Sequence, residues 1–208
     1  MYTKPEFASA QYTAGELNAV VKLLRKHGGK NGVERFLRGE FTVNAPICNL
    51  PIWKTIKLGT KKNVEEYREA LQSSGYGITD RAKYIISEPG FTCALEVLDV
   101  DLVVLSVADL DFKRGASYHK ICARALEMKL ELCSAEVGPA LCLAYGDQPK
   151  DEWLRIAMEA IIGSDSSRRI FALAHCYNGL RFCADYGYAD EFHEADQRFV
   201  FVRPRSQS

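Results

Sequence analysis

Apolar positions recur with a helical period in the first part of the chain. In TAGELNAVVKLLRKHGG, residues 13–29, apolar side chains fall at i, i+3, i+4 and i+7, which is the spacing of one buried helix face. Thr13 and Glu16 have the spacing of a capping box, and Gly28 with Gly29 supplies a left-handed stop. The pattern therefore predicts an amphipathic first helix.

Further helices and two strands are predicted before residue 130. A short helix is predicted over GVERFLRG, with Asn31 as its cap and Gly39 as its end. Three more segments have helical caps or helical periodicity: NVEEYREALQSSG, TDRAKYIISEP and GASYHKICARALEMKL. Alternation in IWKTIKLGT and the Val- and Leu-rich composition of EVLDVDLVVLSVADL predict strands.

Strand patterns dominate after residue 130. Turn-forming segments separate short apolar runs, which are LELCS, ALCLAY, EWLRIAMEAII, RRIFALAHCY, LRFCADYGY and RFVFVRP. We therefore predict an α+β fold, with a mixed N-terminal part of several short helices and a mainly antiparallel C-terminal β-sheet or small sandwich. The predicted domains are residues 1–113 and 114–208, and a boundary near Gly146–Asp151 is the alternative.

The segment HCYNGLRFC concentrates reactive residue types around an Asn-Gly pair. Asn178-Gly179 between alternating runs predicts a hairpin with a type I′ turn. In that register His175 lies on the opposite face of the hairpin from Cys176 and Cys183. The two thiols are then diagonal neighbours about 7–8 Å apart, which is beyond ordinary disulfide reach. This arrangement favours structural packing over a metal or redox site.

Charge is balanced in total but not along the chain. The formal net charge is zero, yet residues 1–84 hold fourteen Lys/Arg against eight Asp/Glu, and residues 85–208 hold thirteen against nineteen. Docking of the two halves, or simple solvation, is the preferred interpretation because the basic residues are interleaved with Glu. Nucleic-acid binding by the basic first half is the alternative, and its candidate residues are Lys22, Arg25, Lys26, Lys30, Arg35 and Arg38.

Cysteine usage and motif searches limit the classes of function. Seven cysteines, an odd number without a C-x-x-C pair, fit a reduced interior, so we expect a cytoplasmic protein with no bound metal or cofactor. The chain also has no apolar run of membrane-helix length. The nucleophile-elbow, phosphate-loop and dinucleotide-binding glycine motifs are absent from the sequence.

An acidic segment, DEFHEAD, lies between the predicted hairpin and the last strand. Loops carried by a rigid sheet often hold binding groups. The candidate binding residues are Asp165, Asp190, Glu191, His193, Glu194 and Asp196. We therefore predict a non-catalytic binding or protein-interaction protein, whose partner is an unknown protein or a small ligand. A hydrolase that uses loop carboxylates or a Cys–His pair from distant segments is a further alternative.

Several segments resemble known sequences. WKTIKLGT, VEEYREAL, the run from VDLVVLSVADL to LRIAMEAI, and RFVFVRP resemble a large group of uncharacterised predicted proteins from ultrasmall candidate-phylum bacteria. LELCSAEVGPALCLAY is the most specific part of this resemblance, which covers most of the chain from Trp53 onward. Phe182 follows the last turn where the group often has a tryptophan. The resemblance implies a bacterial origin and transfers no site residue.

Overall fold

The structure is a computed structural model that describes residues 21–22, 24–25, 28–40 and 50–205. The chain divides into two compact units, Met1–Ile47 and Cys48–Ser208. The structure shows an α+β fold, as the sequence predicts. Most of the predicted first helix lies outside the described residues.

The first unit contains helix α1, Gly32–Leu37, which confirms the helix predicted over GVERFLRG. Asn31 precedes α1, but its side chain makes no capping hydrogen bond. Gly39 follows with φ of +73°, a left-handed conformation that glycine adopts without strain. Gly32 is buried because its backbone lies directly against the carbonyl group of Leu24, where a Cβ atom would not fit.

The second unit contains four described helices, three of them at predicted positions. The Asn63 side chain accepts a hydrogen bond of 3.0 Å from the Glu66 N–H and thereby caps the first of these helices. The Thr79 hydroxyl caps the second by accepting from the Ala82 N–H at 3.3 Å. The helices are α2 (Val64–Ser73), α3 (Asp80–Ile86), α4 (Tyr118–Glu127) and α5 (Val137–Ala144).

Ten described strands form the sheets of the second unit. They are β1 (Lys54–Leu58), β2 (Gly77–Ile78), β3 (Leu98–Ser106), β4 (Ala116–Ser117), β5 (Trp153–Ile156), β6 (Ile161–Ile162), β7 (Arg168–Cys176), β8 (Gly179–Tyr186), β9 (Phe192–His193) and β10 (Arg198–Arg203). The main sheet has the order β1-β3-β10-β5-β7-β8-β2, and β6 pairs with β7. Pairing is antiparallel except between β10 and β5 and between β2 and β8. β4 and β9 form a separate two-stranded ladder.

Strands from both sides of the predicted 113–114 boundary pair within the main sheet. β3 and β10 are antiparallel neighbours from Arg198 opposite Ser106 to Arg203 opposite Asp101. The sheet therefore joins segments that lie about a hundred residues apart in sequence, which local patterns cannot reveal.

The strand predicted over ALCLAY is wrong, because this segment forms the greater part of helix α5. Residues Val137 to Cys142 are all buried, so α5 has no polar face that would give it a helical period. A short, wholly apolar run of this kind cannot be assigned by periodicity alone. Gly138 allows the close packing of α5 on β7, because a Cβ atom there would lie 2.9 Å from the Phe171 Cβ.

The main core lies where α2 and α5 pack together and α5 packs on the sheet. α5 contacts β1, β7 and β8, and α3 contacts β8. Phe171 and Phe182 stack across β7 and β8 with ring centroids 4.7 Å apart. Phe91 lies edge-on to Phe171 at 6.1 Å, and Tyr67 of α2 lies edge-on to Phe91 at 6.2 Å.

The β7–β8 hairpin is confirmed, but the predicted type I′ turn is wrong. Cys176 pairs with Gly179, so the two-residue loop is Tyr177-Asn178. Gly179 has φ of +97°, whereas neither loop residue has positive φ, and this is the pattern of a turn followed by a glycine bulge. The partner of each residue shifts by two positions, so His175 keeps its predicted place on the face opposite both thiols.

The new register separates Cys176 and Cys183 further than predicted. Cys183 lies opposite Ala172, four positions along β7 from Cys176, so the thiols are not diagonal neighbours. Four strand positions correspond to about 13 Å, far outside disulfide reach. The hairpin register therefore does not allow a disulfide between Cys176 and Cys183.

Candidate functional site

The acidic loop after β8 is fixed against the start of helix α4. In the β4–β9 ladder, Ala116 pairs with His193 and Ser117 with Phe192. The backbone N–H of Tyr118 donates to the Glu191 carbonyl at 2.8 Å, and the next N–H, of His119, donates to the Ala189 carbonyl at 3.0 Å. The first turn of α4 and the loop thus form one side of a cleft.

Tyr118 fixes the opposite side of this cleft. Its hydroxyl donates to the Met158 carbonyl at 2.7 Å and accepts from the Met158 N–H at 3.0 Å. Its ring packs against Phe199 of β10, with centroids 5.9 Å apart. Burial raises the pKa of Tyr118 far above its ordinary value, so the hydroxyl stays protonated and structural.

The resulting depression, which we name the Tyr118 cleft, has a volume of about 770 Å³. Apolar side chains form its floor, and charged or titratable side chains stand at its rim. The floor consists of Cys122, Leu132, Met158 and Ala160, the exposed Ile162 stands at its edge, and the rim carries His119, Glu159, Arg168 and Asp190. Tyr188, Ala189 and Gly187 complete the lining beside Tyr118.

Three rim charges are available to a ligand. Among the described residues, the side chains of Glu159, Arg168 and Asp190 have no hydrogen-bond or ion-pair partner. All three are exposed. The cleft therefore combines an apolar floor with both signs of unpaired charge, which is the usual composition of a binding site.

His119 and Cys122 both line the Tyr118 cleft, which is the kind of Cys–His neighbourhood that a thiol hydrolase requires. The His119 Nδ1, however, lies 3.2 Å from the Ser117 hydroxyl, outside the cleft floor. Burial raises the pKa of the Cys122 thiol to about 11, and the nearby Tyr118 hydroxyl offsets this only in part. A nucleophilic cysteine needs the opposite shift, toward thiolate at neutral pH.

Alkylation of Cys122 by iodoacetamide should be slow at neutral pH. Because the thiolate reacts, and because thiolate nucleophilicity rises with pKa, we expect a rate roughly tenfold below that of the same cysteine in the unfolded chain at pH 7. The rate should keep rising above pH 9. Peptide mapping by mass spectrometry after timed alkylation, with the urea-unfolded protein as reference, measures this. A plateau below pH 8 would identify an activated cysteine instead.

The predicted acidic residues do not converge on one site. Asp190 lines the Tyr118 cleft, whereas Asp196 borders a second cavity of about 540 Å³. Glu191 and Glu194 accept backbone hydrogen bonds through their carbonyl groups, from Tyr118 and Gln197 respectively, at 2.8 and 3.1 Å. The carboxylates of the acidic loop therefore do not form one site, because Asp190 and Asp196 line different cavities.

His193 lies beneath this loop and not in either cavity. It is 3% exposed, and its Nδ1 lies 2.8 Å from the Gln197 amide oxygen. Its ring meets Phe199 edge-on at 5.0 Å. Burial lowers the pKa of His193, and among the described residues its Nε2 has no hydrogen-bond partner. Its place in the structure is that of a neutral core histidine.

The second cavity is dominated by ion pairs. Arg198 donates to the Glu152 carboxylate at 2.6 Å, and Arg155 donates to Asp185 at 2.7 Å. The lining of this second cavity also includes Trp153 and Lys150. Pro149 and Trp153 are the apolar residues among its described lining, so this cavity lacks the apolar floor of the Tyr118 cleft.

Asp165 shapes the turn between β6 and β7. Its Oδ1 accepts from the Ser167 N–H at 2.9 Å and from the Tyr84 hydroxyl at 3.3 Å. Hydrogen bonds from Ser167 lower the pKa of this exposed carboxyl. Asp165 lines neither cavity, but the ends of its turn, Ile162 and Arg168, line the Tyr118 cleft.

The basic candidates for nucleic-acid binding all belong to the first unit, and Lys26 is outside the described residues. Arg35 and Arg38 both form ion pairs with Glu40, at 3.0 and 2.8 Å. Lys22, Arg25 and Lys30 are exposed. Nucleic-acid binding through this segment stays a prediction.

Sequence patterns missed Tyr118, Glu159 and Arg168 as site residues. Tyr118 could be found only as an apolar position of α4, and no local pattern indicates that its hydroxyl reaches Met158 forty residues later. The sequence offered one signal for Arg168, which is that Arg168 and Arg169 directly follow a Ser-rich turn. A charged residue at a strand start beside a binding loop is a reasonable candidate.

Comparison with protein-family models, curated proteins and solved structures gives no match to this chain. Within the described residues, no helix has both the length and the apolar composition that crossing a membrane requires. In the same part of the chain, no three His, Cys, Asp or Glu side chains are arranged to hold a metal ion.

Proposed function

We propose that this protein is a non-catalytic binding protein that holds its ligand in the Tyr118 cleft. The observation that carries the proposal is the meeting of an apolar floor with the unpaired charges of Glu159, Arg168 and Asp190. Sites for small ligands and peptide side chains commonly have volumes of about 300–1,000 Å³ and this mixture of surfaces.

The state of the cleft's reactive groups supports binding rather than catalysis. The Tyr118 hydroxyl is bound twice to Met158, and the Cys122 thiol is shifted away from thiolate. A catalytic constellation needs a nucleophile, a base in contact with it and an orienting group. Among the described residues of the cleft, no such chain of contacts is present.

We also propose a bacterial, cytoplasmic setting. The six described cysteines are all free thiols, which suits a reducing compartment. The resemblance of LELCSAEVGPALCLAY to proteins of candidate-phylum bacteria supports the origin.

Filling the cleft should abolish ligand binding. A fragment library screened by ligand-observed NMR supplies the probes, and Ala189→Trp places an indole among the lining residues. We expect fragments that bind the wild-type protein to lose about tenfold or more in affinity for this variant, since the cleft volume is occupied. Ala123→Trp is the matched control, because Ala123 is an exposed alanine of α4 outside the lining.

Two results would contradict the proposal. One is a library in which no fragment binds the wild-type protein. The other is a set of fragments whose affinity is the same for Ala189→Trp as for Ala123→Trp, since these fragments would bind elsewhere.

A further inference from the structure

The Tyr118 cleft has two smaller cavities beside it. The first, of about 420 Å³, is lined by Gly90, Thr92, Leu132, Cys133, Ser134, Ala135 and Glu159. It shares Leu132 and Glu159 with the Tyr118 cleft. The second, of about 330 Å³, shares Thr92, Leu132 and Ser134 with the first and extends to Leu98 and Val202. The three cavities therefore adjoin one another around Leu132, and we name them together the Leu132 trench.

The trench is apolar along its floor and at both ends. Ile162 stands at the end formed by the Tyr118 cleft, and Leu98 stands at the far end, with exposed fractions of 55% and 44%. Val100, Val137 and Val202 continue the floor near Leu98. Large apolar side chains that remain exposed along a groove commonly mark a surface that a partner covers.

The exposed rim of the trench is mainly acidic. Asp190 and Glu159 border the Tyr118 cleft, and Glu131 borders the far cavity. All three are exposed, and their side chains have no partner among the described residues. Arg168 is the one Lys or Arg among the described lining residues, and it stands at the Tyr118 end. The electrostatic potential along most of the trench is therefore negative, which favours the binding of cationic groups.

The backbone in the middle of the trench has an open hydrogen-bonding edge. The N–H of Glu131 donates to Val202 at 2.9 Å, and the N–H of Cys133 donates to Ala157 at 2.7 Å. Between them, neither the N–H nor the C=O of Leu132 has a hydrogen-bond partner among the described residues. Alternate residues of an extended segment direct these groups to opposite sides, so Leu132 presents a free donor and acceptor on the side away from Val202 and Ala157.

We propose that the Leu132 trench binds an extended peptide segment in which basic side chains alternate with aliphatic ones. The peptide pairs with the free backbone of Leu132, its aliphatic side chains fill the floor, and its Lys or Arg side chains meet Glu131, Glu159 and Asp190. The proposal rests on the proposed binding function and names its ligand class. Nucleic acid does not fit, because its phosphates would meet the three carboxylates.

Peptide selection tests this assignment. A phage-displayed library of random twelve-residue peptides, panned on the full-length protein, should enrich sequences that alternate Lys or Arg with Val, Ile or Leu. A synthetic peptide of the consensus sequence should then bind the Glu131→Lys/Glu159→Lys variant about tenfold or more weakly than the wild type. Glu69→Lys/Asp147→Lys is the matched control, because it changes the same charge at exposed acids outside the trench and should retain wild-type affinity.

Backbone pairing has its own readout. N-methylation of the consensus peptide at successive positions should weaken binding most at one position, the residue whose N–H meets the Leu132 carbonyl, since Leu132 offers one free acceptor. The assignment is overturned if panning enriches no sequence, if acidic sequences are enriched, or if the trench variant binds as well as its control. If fragments still bind the Tyr118 cleft in an Ala189-dependent way, the proposed function stands and only the peptide assignment fails.

Discussion

Replacement of Glu136 by glutamine should lower the free energy of unfolding by about 2–4 kcal/mol. Glu136 is 1% exposed and directly precedes helix α5. Its Oε1 accepts from the Gly59 N–H at 2.9 Å and from the Tyr67 hydroxyl at 2.7 Å. Its Oε2 accepts from the Ala94 N–H at 2.7 Å. Three donors from separate segments thus depend on one buried carboxylate.

Glutamine cannot reproduce this arrangement in either amide orientation. If its oxygen replaces Oε1, its NH₂ group faces the Ala94 N–H, and two buried donors then oppose each other. If the amide is flipped, the NH₂ group faces the donors from Gly59 and Tyr67. An unsatisfied buried donor costs about 1–3 kcal/mol, which gives the expected range.

Urea unfolding followed by tryptophan fluorescence measures the effect of Glu136→Gln. Glu69→Gln is the control, since Glu69 is exposed on α2 and should change stability by less than about 0.5 kcal/mol. Equal unfolding midpoints for the two variants would show that the carboxylate does not hold these segments together.

Loss of the Tyr118 hydroxyl should have the second largest effect, a destabilisation of about 2–4 kcal/mol in Tyr118→Phe. The hydroxyl is a donor to the Met158 carbonyl and an acceptor from the Met158 N–H, at 2.7 and 3.0 Å. Met158 is 1% exposed, so both backbone groups would be left buried without a partner. The phenylalanine ring can keep the contact with Phe199.

Thermal and urea unfolding of Tyr118→Phe measure this cost. Tyr177→Phe is the control, because Tyr177 is 99% exposed at the tip of the β7–β8 hairpin. We also expect weaker fragment binding by Tyr118→Phe at temperatures where it is folded, since α4 is no longer tied to the floor of the cleft. Wild-type stability of Tyr118→Phe would mean that water replaces the hydroxyl and that Tyr118 does not fix the cleft.

Local chemistry explains which elements could be predicted. Asn63 and Thr79 each cap a helix through their own side chains, so α2 and α3 were visible in a few neighbouring residues. Helix α5 has no such cap and no polar face, so only its packing against the sheet distinguishes it from a strand. The β7–β8 hairpin was predicted because its alternation is local, while its turn depended on which residues adopt positive φ.

The candidate site depended far more on long-range structure. The sequence placed Asp190–Asp196 in one loop, and the structure sends the ends of this loop to different cavities. Ile162 of β6 pairs with Arg168 of β7. This pairing places Arg168 near the segment that contains Glu159, and both residues line the cleft together with Asp190. No spacing along the chain encodes that meeting, since it follows from strand pairing and from the ladder between β4 and β9.

Methyl NMR with isotope-labelled Met and Ile tests the binding cleft most directly. Met158 and Ile162 line the Tyr118 cleft, whereas Ile52 is exposed and lies outside it. When a fragment from the screen is titrated into the full-length protein, we predict that the Met158 and Ile162 methyl signals shift most and saturate together, and that Ile52 stays unchanged. Saturable binding that leaves Met158 and Ile162 unshifted would contradict the account.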